Sequence, residues 1–254
     1  MAPASPQGRT LASILKLTRE KRSDLSCVSE DAGLPRDVVG RVMAELAKHS
    51  LVSYDGEKIE ASPEQRIKIA SETIQRGADA ERVCRFLRWR EFEEMASLFL
   101  RESGYTVVKN LHFKASGKRW EVDATALREP LVLSIDCKHW KRSWQTAATR
   151  RMAEMQRSRT RYLASTLPTF RDRLKIGSWR RARVLPLVVT LRPTPFRICG
   201  GVPVVPIYNL RSLLSELQAN LHLIAVYDVT FPFTADRSEE RGQNLGRRSQ
   251  QLQL

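Results

Sequence analysis

Along the first sixty residues, apolar positions recur three or four residues apart, the period of a helix. Leu11, Ile14, Leu15 and Leu17 predict one helix; Leu25, Val28 and Ala32 predict a second, with Ser23-Asp24 as its N-cap. Gly33-Leu34-Pro35 reads as a turn, and Pro35 opens a third helix carrying Val38, Val39, Val42, Met43 and Leu46 on one side. Leu51 to Glu60 then predicts two short strands around Asp55-Gly56, a hairpin signal. Ser62-Pro63-Glu64 starts a helix to about Gln75; Gly77-Ala78-Asp79 breaks it and Ala80 restarts it. From residue 91 the pattern becomes mixed. A helix over Glu91 to Glu102 stops at Ser103-Gly104, and strands follow at Tyr105 to Asn110, Trp120 to Leu127 and Leu131 to Lys138. A long basic helical stretch covers Thr146 to Ser165. A nearly all-apolar strand follows at Ala182 to Leu191, then a strand at Val202 to Tyr208 and a helix from Asn209 to about Gln218. Strands separated by helices predict an α/β sheet covered on both faces. The end of the chain is Arg-, Gln- and Ser-rich without periodicity, which predicts disorder.

Helix, helix, turn, helix and a two-stranded wing resemble a winged helix-turn-helix domain. The expected organisation is such a domain over 1–62, a helical connector over 63–90, an α/β domain over 91–232 and a tail over 233–254. The resemblance implies that the second and third helices read DNA, with Arg36, Arg41 and Lys48 facing outward. Asp37 and Glu45 dilute that charge, and units of this kind also serve as dimerisation or protein-contact modules.

Composition narrows the function classes. Hydrophobic residues are 42% and charged ones 28%, which excludes wholesale disorder. Against 28 Asp and Glu stand 43 Lys and Arg, a net charge of +15, so an anionic partner is expected and nucleic acid is the commonest. A generally basic, solvated surface is the alternative. The pattern has no signal-peptide start and no apolar run long enough to cross a bilayer, so a cytoplasmic protein without a membrane partner is expected. Cys27, Cys84, Cys137 and Cys199 form no CxxC pair, and the four histidines no HExxH spacing, which argues against a zinc site.

Two acidic residues interrupt strand patterns. Asp123 lies within Trp120 to Ala126, and Asp136 near the end of Leu131 to Lys138. Side chains at i and i+2 share a strand face, so Asp136 and Lys138 project together and Cys137 points away. If the two strands are hairpin neighbours, Asp123 and Asp136 meet. Two close carboxylates raise each other's pKa unless a cation lies between them, and an all-oxygen donor set suits Mg²⁺ or Mn²⁺. Such a centre beside a lysine hydrolyses phosphodiesters with an activated water. The alternative is an Asp136–Lys138 ion pair at a strand end, with Asp123 capping a turn.

Asp123 followed by Asp136-Cys137-Lys138 resembles the D…(D/E)xK signature of the restriction endonuclease-like, or PD-(D/E)xK, nuclease superfamily. Phe92-Glu93-Glu94, continuing to Gly104-Tyr105, looks like the first helix of Mrr-type endonucleases and archaeal Holliday-junction resolvases. The likeness covers about residues 91 to 218. It implies a restriction endonuclease-like mixed β-sheet flanked by helices. Asp123 would be the central metal ligand and Asp136 the second, with the backbone carbonyl of Cys137 as a third oxygen. Lys138 would position the water and stabilise the phosphate, and Glu93 at the start of the first helix would bind the metal directly or through water. Glu94 is the adjacent alternative. Val122 stands where the superfamily commonly has Pro, and Asp136 where near relatives more often have Glu or Gln.

The charge concentrates beside this motif. From Lys138 to Arg183 there are fourteen basic residues opposed only by Glu154 and Asp172. Lys141, Arg142, Arg150, Arg151, Arg157, Arg159 and Arg161 are the candidate phosphate-binding residues, with Arg36 and Arg41 on the helix-turn-helix. A solvated, non-binding helix is the alternative. Trp140 and Trp144 can stack on unpaired bases, or belong to the core or a hinge. The expected function is Mg²⁺-dependent endonucleolytic cleavage of DNA in repair, recombination or restriction. The alternatives are an inactive nuclease-fold DNA-binding regulator and an RNA-processing nuclease. A homodimer is implied by analogy only.

Overall fold

The structure, a computed structural model, describes residues 5–20, 22–140 and 144–231. Lys141 and Arg142 and the expected tail at 233–254 lie outside the described residues. Helix α1 (Pro6–Leu17) is capped by the Ser5 hydroxyl, which accepts from the Gly8 amide. Strand β1 (Ser23–Asp24), α2 (Leu25–Ala32), α3 (Arg36–Lys48), β2 (Ser53–Tyr54) and β3 (Lys58–Glu60) complete the first unit. Gly33 ends α2 at φ +58°, the left-handed conformation the tight turn into α3 requires. The hairpin forms around Asp55, whose Oδ1 accepts from the amides of Glu57 and Lys58.

One expectation here is corrected. Ser23-Asp24 is more than a cap: it forms the outer strand of a three-stranded sheet ordered β1-β3-β2. Asp24 occupies the N-cap position of α2 without a side-chain cap bond, because its carboxylate accepts from Lys58 across the sheet. An ionised partner competes successfully with a backbone amide for the same oxygens.

The connector folds as α4 (Pro63–Gln75) and α5 (Ala80–Cys84). Ser62 and Gln65 exchange bonds in a capping box, and Asp79 caps α5 through the Arg82 amide. α4 packs on both α1 and α6 (Trp89–Glu102). Arg66 of α4 is fully buried in that seam. Its Nε donates to Glu91 Oε1 at 3.0 Å, Nη1 to the Leu15 carbonyl and Thr18 Oγ1, and Nη2 to the Phe86 carbonyl. Every donor aimed inward is matched, so the charge is held without an unsatisfied group. One hydrophobic core therefore runs from Leu11 and Val39 through Ile69 and Phe92 to Leu187 and Ile224, joining the N-terminal unit to the larger sheet.

The larger sheet has β4 (Thr106–Ala115), β5 (Lys118–Arg128) and β6 (Leu131–Lys138) as an antiparallel meander. Helix α7 (Thr146–Thr166) crosses to β7 (Arg181–Thr190), which is parallel to β6, and β9 (Val202–Pro206) is parallel to β7. β8 (Ile198–Cys199) edges β9, and α8 (Leu210–Glu216) follows it. A strand absent from the sequence pattern, β10 (Tyr227–Thr230), pairs with Arg181–Val184 of β7. β9 meets β7 only at Val188–Thr190, so Pro186 sits in the gap between the two neighbours, where its missing N–H interrupts no ladder. The whole is a mixed α/β sheet with α6 and α8 packed to one side and α7 to the other.

Candidate functional site

The β5–β6 register pairs Ala124 with Ile135, and its continuation sets Asp123 opposite Asp136. The two strands are tied there: the Cys137 amide donates to Asp123 Oδ2 at 2.7 Å. Asp123 also marks a change of face. Ala124 and Ala126, with Val107 of β4, pack toward α6, whereas Val122, Leu111 and Phe113 pack in the second core beneath α7. Asn110, bracketed opposite Asp123 by the pairs Lys109–Ala124 and Leu111–Val122, takes the left-handed conformation at φ +51°. Asn tolerates that region better than most residues, and it supplies the bend.

Asp136 is 3% exposed and carries a cation on each oxygen: Lys138 Nζ lies 2.8 Å from Oδ2 and Arg159 Nη1 2.7 Å from Oδ1. Arg159 is held by Gln156, whose Oε1 accepts from the same nitrogen at 2.6 Å. Gln156 Nε2 in turn donates to the Ser134 carbonyl at 2.6 Å, pinning α7 to the central strands. Neither residue was read from the sequence as part of this centre. Gln156 lies on the buried stripe Thr149, Met152, Ala153, Thr160 and Leu163, and a polar amide on such a stripe was the available signal.

The helical alternatives separate cleanly. Glu94 binds Arg101 and Lys109; burial opposes ionisation, but those two cations hold its carboxyl below the usual range. Glu93 is half-buried and its Oε1 has no hydrogen-bond partner. Burial, then the charges of Asp123 and Glu121, push its carboxyl up to about 7, with Asp136 adding to the effect. Asp123 is raised as well, by burial first and by Asp136, against the lowering effect of the Cys137 amide. The charges of Asp123, Glu121 and Asp136 thus all reach Glu93, and Lys138 pairs with Asp136 directly. The Cys137 thiol points into the core, where burial raises it well above the ordinary thiol range.

Glu93, Asp123 and Asp136 supply oxygen donors of the kind a hard divalent cation takes, and one Glu93 oxygen has no hydrogen-bond partner. Among the described residues, no three His, Cys, Asp or Glu side chains are grouped closely enough to hold one ion. Arg159 and Lys138 occupy the oxygens of Asp136 in this arrangement.

Of the expected phosphate-binding residues, Arg150, Arg151, Arg157 and Arg161 are exposed on α7. Arg150 also lies over the Phe196 ring, and Arg157 reaches the Gly200 carbonyl at 3.3 Å. Arg159 departs from the expectation, turning inward to Asp136 because it lies one helical turn from Gln156 on the strand-facing side. On α3, Arg36 pairs with Glu57 and Arg41 with Asp37 at 3.0 Å, so both guanidinium groups already meet acidic partners. The clefts around Gln7 and His49 and around Arg9 and Asp31 lie between the N-terminal unit and the connector helices and do not include the Asp123 and Asp136 carboxylates. No helix among the described residues is long and apolar enough to cross a membrane.

No family model and no curated protein matches the chain. Among solved structures, the crystal structure of protein VC1899 from Vibrio cholerae is similar at 15% identity with a TM-score of 0.37. The alignment covers 86% of this chain, which spans about half (51%) of the length of that one.

Proposed function

We propose that this protein is a divalent-cation-dependent DNA endonuclease of the restriction endonuclease-like type. The observation that carries the reading is the placement of Asp123 and Asp136 one residue past the last β5–β6 pair, where the Cys137 amide donates to Asp123, with Lys138 on Asp136 and an unpartnered Glu93 oxygen whose carboxyl feels the charge of Asp123. The element order α6, β4-β5-β6 meander, α7 and parallel β7 is the order that the sequence resemblance implies. The N-terminal unit, a turn between α2 and α3 followed by a β-hairpin, agrees with a winged helix.

Glu93, Asp123 and Asp136 would hold Mg²⁺ or Mn²⁺. The chemistry such an ion supplies when bound is Lewis acidity toward a phosphoryl oxygen and a nucleophilic water at neutral pH. Lys138 then presents its ammonium to the charge that develops on the phosphate. Cys137 holds Asp123 in place through its amide, and Gln156 orients Arg159. The exposed α7 arginines supply a phosphate-binding surface that carries no sequence information.

The test is cleavage of plasmid, branched DNA and RNA with and without Mg²⁺ or Mn²⁺. Wild type should cut DNA only with metal, and Asp123→Asn, with an unchanged circular dichroism spectrum, should not. If the two behave alike on every substrate, the assignment is wrong. One observation favours a second reading, a DNA-binding protein that keeps the fold without activity: both oxygens of Asp136 are taken by Lys138 and Arg159. Metal-independent binding with no cleavage by wild type would select it.

A further inference from the structure

Strand β6 ends at Lys138, and the next three described residues are arranged in an unusual way for a strand exit. His139 Nε2 lies 3.0 Å from the Cys84 carbonyl, and its ring is 4.9 Å from that of Phe92, the neighbour of Glu93. His139 therefore anchors the strand exit against the end of α5 and against α6. Trp140 follows, 54% exposed. Its indole stacks on Trp144 with centroids 4.4 Å apart and planes within 10°. Trp144 is 7% exposed and packs with Met152, Val188 and Val204, so the backing ring is fixed by the core.

With one face against Trp144, the Trp140 indole still leaves about half of its surface in solvent. Leaving that much apolar surface in water forfeits burial at roughly 25 cal/mol per Å², which a site that receives a flat partner recovers. The surroundings select the partner's chemistry. Trp140 is two residues from Lys138, within about 7 Å of backbone, or about two base steps of ~3.4 Å. Exposed Arg150, Arg151 and Arg157 continue the chain beyond it on α7. A planar ring next to a phosphate site and an arginine-lined helix matches a nucleobase attached to its sugar-phosphate chain.

We propose that Trp140, backed by Trp144, is a stacking platform for an unpaired nucleobase of DNA one or two nucleotides from the scissile phosphate. The substrate class is then DNA with a single-stranded stretch, since a paired base offers no free face. This placement rests on the nuclease reading; the platform itself is a binding property and is tested as one.

The experiment measures anisotropy of a labelled single strand and of the matching duplex with the full chain in EDTA, at ~150 mM salt. Wild type should bind the single strand with quenching of tryptophan emission. Trp140→Ala should weaken that binding about 5- to 150-fold, the range of one base–aromatic stack, and change duplex binding less than about twofold. Trp140→Phe should recover most of the loss. Because Trp140 is exposed, near-ultraviolet circular dichroism serves as the folding control. Equal weakening of both DNAs by Trp140→Ala, or no weakening of either, would overturn the platform. Cleavage by Asp123→Asn is scored separately, so a failed nuclease reading and a failed platform give different results.

Discussion

Arg159 and Asp136 form the tightest charged contact of the candidate centre: Nη1 rests 2.7 Å from Oδ1, while Lys138 holds the other oxygen. The carboxylate is almost wholly buried, so removing one cation leaves charge that water cannot screen. Arg159→Met should destabilise the fold by about 3 to 5 kcal/mol. Adding Asp136→Asn to it should recover part of the loss, with a coupling of about 1 to 3 kcal/mol in a double-mutant cycle followed by urea unfolding. Additive effects would mean the two groups do not interact energetically.

Glu93 gives the pH prediction. Its carboxyl titrates near 7 in the folded chain, above the ordinary value of about 4.5. The folded state therefore binds the proton more tightly, and that contribution to stability is full below about pH 4.5 and lost as pH rises to about 7. Glu93→Gln cannot lose a proton. Its melting temperature should fall less than that of wild type between those pH values, and should exceed it at pH 8. Parallel pH profiles would contradict the assignment. Mg²⁺ or Mn²⁺ should raise the wild-type melting temperature at pH 7.5 and leave Asp123→Asn unmoved.

The Arg66–Glu91 pair makes a test of architecture alone. Both side chains are buried, and Arg66 donates to three further groups from α1 and the α5–α6 loop. Arg66→Met should cost about 3 to 5 kcal/mol in chemical denaturation, because Glu91 is left unpaired. Arg66→Met with Glu91→Leu should be more stable than Arg66→Met alone.

On α7, replacing Arg150, Arg151 and Arg157 together by Gln should weaken binding to every DNA sequence. The slope of log K against log salt should shrink by roughly 2 to 3, at about 0.9 per lost phosphate contact. An unchanged slope would move the DNA to another surface.

Gly201 has φ +78°, and an added Cβ would stand 3.0 Å from the Ala225 backbone nitrogen, which donates to the Gly201 carbonyl. Gly201→Ala should lower stability by about 1 to 3 kcal/mol in a thermal melt.

Periodicity carried most of the architecture. Leu131 to Lys138 and Pro63 to Gln75 are elements with the boundaries read from the sequence, since apolar alternation and an N-cap with proline are local signals. β10 was not legible. Tyr227-Asp-Val-Thr230 is short and alternates only weakly, and its pairing with β7 depends on a chain reversal that no local pattern encodes. In the centre, the carboxylates were legible because acids are rare in strands. Arg159 and Gln156 were not, since each looks like an ordinary polar residue of a basic helix until the helix is docked. Arg66 was hidden in the same way. It lies on the face of α4 with Ile69, Ala70 and Thr73, and only the meeting of α1 with α6 discloses its partner.

The core that joins Leu11 to Ile224 has a mechanical meaning. With Arg66 tying the seam, α3 and the two aspartates sit on one continuous core, and a core that holds its packing would keep them apart like the jaws of a calliper. A ligand that touches both jaws must supply the bend itself. Intact duplex resists bending over a persistence length of about 50 nm, whereas DNA with a gap, flap or junction already has a joint. On the nuclease reading proposed above, stiffness in the protein would therefore sort DNA by shape without reading a single base.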